Sequence, residues 1–227
     1  SNNIHYSSQD GLLEKTMIPA GWPVLEDGVH AYGRTFKQAI VDVMRSMYQR
    51  GLVQVRGGNA SIIDRRTGRV YISPSGVPRM LLGEEDVAVL SYPDGTVLEG
   101  TPSSEWRMHL KVYMADPNAV AVVHAHPKNL LSLLYRGGRL DLHLLSEAAL
   151  RASCSEPARV PFVTPGTEEL ARAVYEAVVE SGCNIVILER HGALVYSRES
   201  VYHALDLLEA LEDLAYIQLN ISDGSTG

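Results

Sequence analysis

The chain has 227 residues, 45% of them hydrophobic and 21% charged, which fits one folded domain with a sizeable core and excludes a disordered chain. Its formal charge is −7 with Lys and Arg scattered, which excludes a nucleic-acid surface of clustered cations but leaves room for a pocket that takes a small phosphorylated molecule. Apolar runs are too short to span a bilayer, no secretory leader is visible, and Cys154 and Cys183 are too few for a disulfide scaffold. A soluble, cytoplasmic protein without a membrane partner is expected.

Residues 1–30 carry no clear period and read as an irregular arm. Thr35 is placed to cap a helix to about Arg50, with Ala39, Ile40, Val43, Met44 and Met47 at helical spacing and Gly51 as its stop. Residues 52–55 lead into Gly57-Gly58-Asn59, followed by a strand over 60–64, a turn at Thr67-Gly68 and a second strand over 70–73. A short helical connection over 81–86 precedes a hairpin of 87–92 and 96–98 around Pro93-Asp94-Gly95. Then come a helix over 104–115 with Ser104 as its candidate cap, a buried-type strand over 120–125, and helices over 128–135 and 168–181. Strands over 185–188 and 193–196 and a helix from Ser200 to about Leu219 complete one α/β domain, residues 31–220, with a polar tail at 221–227.

The segment Val122-Val123-His124-Ala125-His126-Pro127 puts two imidazoles two residues apart at the end of an apolar strand, where both can aim at one point. Alone, such a pair serves equally well as two solvated or core histidines. His191 also follows an apolar strand and precedes Gly192, and three histidines at strand ends make an open, catalytic-type metal site. His5, His30, His109, His143 and His203 lack this setting, and His109 and His203 read as surface or packing residues on helices. Glu105 opens a helix, and Gly57-Gly58-Asn59 and Ser73-Pro74-Ser75-Gly76 are small-residue loops able to present N–H groups to an anion. Taken one at a time, these three read as a first-turn carboxylate and ordinary turns.

Their order along the chain is more specific. Gly-Asn, Ser-Pro-Ser-Gly-Val-Pro, Pro-Ser-Ser-Glu-Trp-Arg-Met-His, Val-Val-His-Ala-His-Pro and Arg-His-Gly-Ala together resemble the class II aldolase/adducin family over about residues 35–219, most of all its L-fuculose-1-phosphate aldolases. The resemblance implies a three-layer α/β fold with a central, mainly antiparallel sheet, assembled as a homotetramer with sites between subunits. It implies Zn²⁺, or another divalent transition metal, on His124, His126 and His191. Glu105 would be the acid/base and a further ligand of the resting metal. Gly58, Asn59, Ser75, Gly76, Ser103 and Ser104 would cradle the phosphate of a sugar phosphate. The implied reaction cleaves a ketose 1-phosphate to dihydroxyacetone phosphate and an aldehyde through a metal-stabilised enediolate.

Two departures bear on the substrate. The aldolases of this family draw a tyrosine from the region that is here 137–157, which has none, and another near the C-terminus, where Tyr216 falls inside the last helix. The group that protonates the leaving aldehyde is therefore not identified. Glu147 stands where the family's methylthioribulose-1-phosphate dehydratases keep a catalytic base, although those enzymes lack the carboxylate matched by Glu105. The epimerases of the family carry aspartate at that position. A metal-dependent decarboxylase or a sugar-phosphate dehydratase is thus the alternative. An adducin-like interaction module is disfavoured, because the histidines and Glu105 are all present.

Overall fold

The computed structural model describes residues 28–221, together with the backbone of two antiparallel strands, β1 (Ile4–Gln9) and β2 (Leu12–Met17). The arm is therefore not irregular throughout. The rest of residues 1–27, and the tail from 222 to 227, lie outside the described residues.

A small pair, β3 (Val29–Ala31) and β4 (Arg34–Thr35), leads into α1 (Phe36–Gln49). Thr35 and Gln38 form a reciprocal capping box, which satisfies two N–H groups at the helix start. The main sheet has eight strands: β5 (Asn59–Asp64), β6 (Arg69–Ile72), β7 (Ala88–Ser91), β8 (Val97–Glu99), β9 (Ala121–Ala125), β10 (Ala158–Val160), β11 (Ile185–Leu188) and β12 (Gly192–Ser197). Their order is β10-β11-β12-β9-β5-β6-β7-β8, antiparallel except for the β10–β11 pair. The other helices are α2 (Trp106–Ala115), α3 (Lys128–Tyr135), α4 (Ser146–Arg151), α5 (Glu168–Ser181) and α6 (Val201–Asn220).

Strand alternation divides the core into two layers. Ala121, Val123 and Ala125 of β9, Ile185 and Ile187 of β11, and Ala193 and Val195 of β12 pack with α1, α3 and α6. Val122, Val186, Leu188, Leu194 and Tyr196 face the opposite way, against α2 and α5. Both faces of the central strands are therefore covered, which is why they read as continuous apolar runs. The mainly antiparallel sheet between helical layers agrees with the expected fold class.

Leu52 N–H closes the end of α1 on the Met47 carbonyl, and its own carbonyl accepts from His126 N–H. One local expectation is corrected. Ser104 does not cap α2, because Glu105 occupies the cap position and turns its side chain elsewhere. Of the two readings of His109, surface or packing, its full burial supports the second. The stretch 137–160 holds α4 and β10, short elements packed against α6 and β11. Cys154 and Cys183 are joined as a disulfide beside a cluster of Ser153–Asn184 hydrogen bonds. None of the described helices is long and apolar enough to cross a membrane.

Candidate metal centre and anion cradle

His124 leaves β9 on the α2 side, in register with Asn59 of β5 and Leu194 of β12. His126 lies just past the end of β9 and His191 just before β12, so the adjoining ends of two central strands deliver three rings. Gly192 makes this possible. Its φ is 139°, and a Cβ there would lie 2.1 Å from the Ala125 carbonyl oxygen, so no other residue fits so close to β9. Arg190, the residue before the third histidine, is itself held at φ 56° with its guanidinium over the Phe162 ring.

The outer ring nitrogens fix the tautomers. His124 Nδ1 is 3.0 Å from the Ala193 carbonyl and His126 Nδ1 is 3.2 Å from Gln54 Oε1, so each Nδ1 carries the proton and each Nε2 a lone pair. Those Nε2 atoms lie 3.2 Å apart, and His191 Nε2 is 3.1 Å from His124 Nε2. Lone pairs so close repel one another unless a cation lies among them, and the three donor atoms all fall within 4.8 Å. Burial lowers the His124 pKa to about 3, with Glu105 opposing that shift and His126 and His191 adding to it. Burial lowers His126 as well. Neutral imidazoles are the ligating form, so the donor set fits a divalent transition metal.

Glu105 is the carboxylate of this group. Its Oε1 is 2.9 Å from His191 Nε2 and its Oε2 is 3.3 Å from His124 Nε2. Burial disfavours its charge, and an N–H from Asn59 favours it. Oε1 is buried without a hydrogen bond, as is His191 Nδ1. Two orphaned polar atoms beside converging lone pairs mark a place built for a bound group.

Above the imidazoles opens a cavity of about 260 Å³ lined by Gly58, Asn59, Ser75, Gly76, Ser103, Ser104, Glu105, His126 and His191, with Arg56 and Arg79. The structure thus brings the expected cradle residues to the expected histidines. Gly58 has a φ of 68°, and a Cβ there would strike Val53 at 2.3 Å. Asn59 is a partial exception to the cradle reading, because its side-chain N–H points at Glu105 Oε2 (2.8 Å) rather than into the opening.

Arg79 was not singled out from the sequence. It is 2% exposed and donates to the carbonyls of Gly57, Gly58, Pro74 and Val77, tying both loops together from below. Burial lowers its pKa to about 10, so it remains a cation at neutral pH. No carboxylate pairs with it among the described residues. Its only sequence signal was an arginine directly after the Ser-Gly-Val-Pro loop. Glu147, by contrast, is exposed at the start of α4 and is not among the residues lining the cavity.

The model of the class II aldolase and adducin N-terminal domain matches residues 38–219. The chain is 34% identical over 185 residues to a 5-deoxy-D-ribulose 1-phosphate aldolase of Bacillus thuringiensis, covering 80% of this chain and 83% of that one. It is 33% identical over 182 residues to the L-fuculose phosphate aldolase of Escherichia coli, covering 79% and 80%. Among solved structures, the L-fuculose-1-phosphate aldolase of Thermus thermophilus superposes with a TM-score of 0.70 at 30% identity, over 81% of this chain and 92% of that one. By the extent of these matches, the chain belongs to the class II aldolase/adducin family as one of its metal-dependent lyases.

Proposed function

We propose that the protein is a zinc-dependent aldolase that cleaves a ketose 1-phosphate to dihydroxyacetone phosphate and an aldehyde. The observation that carries this reading is the meeting, in one cavity, of three imidazole lone pairs, an anionic carboxylate and two N–H-rich loops organised over a buried arginine. His124, His126 and His191 would hold the metal, with Glu105 as a further ligand at rest. A divalent cation there supplies Lewis-acid stabilisation of the negative charge that bond cleavage leaves on the three-carbon half.

Gly58, Ser75, Gly76, Ser103 and Ser104 bind the phosphate at the mouth, helped by the Arg79 charge below them. Asn59 belongs to the same wall. Binding the phosphate away from the broken bond lets that energy position the reacting carbons. Glu105 works as acid and base: it delivers a proton to the carbon freed by cleavage, and removes the same proton in the condensation direction. Its free Oε1 suits this, since no hydrogen bond occupies that oxygen. We take the working form to be a homotetramer whose neighbouring subunit completes the open mouth of the cavity. Sedimentation of the zinc-loaded protein as a tetramer supports this, and a monomer with full activity refutes it.

The second reading is a metal-dependent decarboxylase on the same scaffold, and one observation favours it. Among the described residues no tyrosine lines the cavity, so no phenol of the same subunit is placed to protonate an aldehyde oxygen. The two readings separate on products. Zinc-loaded protein should release dihydroxyacetone phosphate from L-fuculose 1-phosphate or from 5-deoxy-D-ribulose 1-phosphate, the substrates named by its relatives. Bound zinc with no such release from either would shift the assignment to the decarboxylase.

A further inference from the structure

Behind Glu105 a line of buried polar groups runs away from the cavity through the layer between β5 and α2. Asn59 Nδ2 donates to Glu105 Oε2, and Asn59 Oδ1 lies 2.5 Å from His109 Nε2. His109 Nδ1 is 2.6 Å from Ser61 Oγ, which is 2.8 Å from the Tyr113 hydroxyl. Asn59 is 3% exposed, Tyr113 1%, and Ser61 and His109 are fully buried. The spacing in sequence builds the line. Asn59 and Ser61 are two apart on β5 and share one face, while Glu105, His109 and Tyr113 follow at four-residue steps along one face of α2.

The chemistry at the cavity end dictates every proton along it. A carboxylate only accepts, so the Asn59 amide must turn its NH₂ toward Glu105 and its carbonyl toward His109. His109 must then carry its proton on Nε2 and accept on Nδ1, so Ser61 donates to it and Tyr113 donates to Ser61. Burial lowers the His109 pKa to about 4, which keeps the ring neutral and allows it one N–H. Burial also keeps the Tyr113 hydroxyl protonated. With the outer links in place the Asn59 amide cannot rotate by half a turn, a motion that would set its carbonyl against the carboxylate. One oxygen of Glu105 is thereby anchored and the other, Oε1, is left without a hydrogen bond.

We propose that His109 is a positioning residue for Glu105. Acting through Asn59, it aims one carboxylate oxygen into the protein so that the other faces the reacting carbon, and Ser61 and Tyr113 hold it in the tautomer this needs. The inference rests on the reading of Glu105 as the group that moves the proton.

Two measurements test it, and only one depends on activity. Imidazole ¹⁵N NMR of the metal-free wild-type protein near neutral pH should find His109 as the Nε2–H tautomer; an Nδ1–H tautomer or an imidazolium overturns the proposal. The other follows deuterium exchange into dihydroxyacetone phosphate by zinc-loaded protein. His109→Leu should lower kcat about 10- to 100-fold, with KM within about threefold and zinc stoichiometry unchanged. His109→Gln, whose amide sets an N–H and a carbonyl at about the separation of the two ring nitrogens, should recover most of the rate. Loss of kcat and KM together, or a glutamine variant as slow as leucine, marks a packing role and overturns the proposal. Should the leucine variant not fold, the glutamine variant and the tautomer decide. Wild-type protein that binds zinc but exchanges nothing removes the aldolase reading instead, and the tautomer still judges the relay.

Discussion

The wall of the cavity that carries the imidazoles and the wall that carries the loops differ in what holds them in place. His124 and Glu105 are buried, and each takes its orientation from strand or helix neighbours: His124 from the Ala193 carbonyl, Glu105 from Asn59. Ser75, Gly76 and Ser104 are exposed, and what fixes the loops of the cradle is one side chain beneath them, Arg79. Chemistry that needs reacting groups in fixed positions is built on rigid elements, while recognition of a solvated anion is left to loop N–H groups with a cation behind them. Variants of the two walls should therefore fail in different ways.

The largest effect is expected from His124→Ala or His191→Ala. Either should abolish both metal binding and turnover, and a variant that retains full zinc by elemental analysis would undo the assignment. Glu105→Gln sharpens the comparison within the same wall: metal should remain bound while kcat falls by about 10² or more, since a neutral amide cannot take the proton. Unchanged turnover in that variant would remove Glu105 from the mechanism.

On the other wall, Arg79→Met should raise KM for a phosphorylated substrate about tenfold or more while kcat changes less, because the lost charge acts on binding. It should also cost about 2–4 kcal/mol in a denaturant titration, since several buried carbonyls lose their donor. A variant whose kcat falls while KM stays fixed would erase the distinction between the walls.

The smallest expected effect lies away from both. His30 accepts a hydrogen bond from Val201 N–H at the start of α6, and burial lowers its pKa from 6.5 to about 4. The unfolded chain accepts a proton that the folded one refuses. This contribution to stability is therefore complete above pH 6.5 and is lost as the pH falls through about 4. His30→Gln should remove roughly 1–2 kcal/mol of that acid sensitivity. A variant with the same slope of stability against pH as wild type would show that His30 is not its source.

What could be read in the sequence was what short-range pattern controls. Val122 to Pro127 displays its strand and its pair of histidines directly, and Thr35 and Ser200 mark helix starts that the structure keeps. What could not be read depends on contacts far along the chain. Leu52 joins the end of α1 to the histidine wall through hydrogen bonds with Met47 and His126. His109 looked like one more helical histidine until β5 placed Ser61 and Asn59 against it. Arg79 carries no motif, and its role exists only once two loops fold over it. The triad of imidazoles was legible because its members sit at the ends of two apolar strands, β9 and β11, whereas the groups that orient Glu105 and the cradle are revealed only by packing.

The most direct test of the account is exchange at the hydroxymethyl carbon of dihydroxyacetone phosphate in D₂O, followed by NMR with zinc-loaded wild-type protein, an EDTA-treated control and Glu105→Gln. The account predicts stereospecific loss of one proton signal that requires both the metal and the carboxylate. Exchange that persists without metal, or that proceeds at the wild-type rate in the glutamine variant, would contradict it.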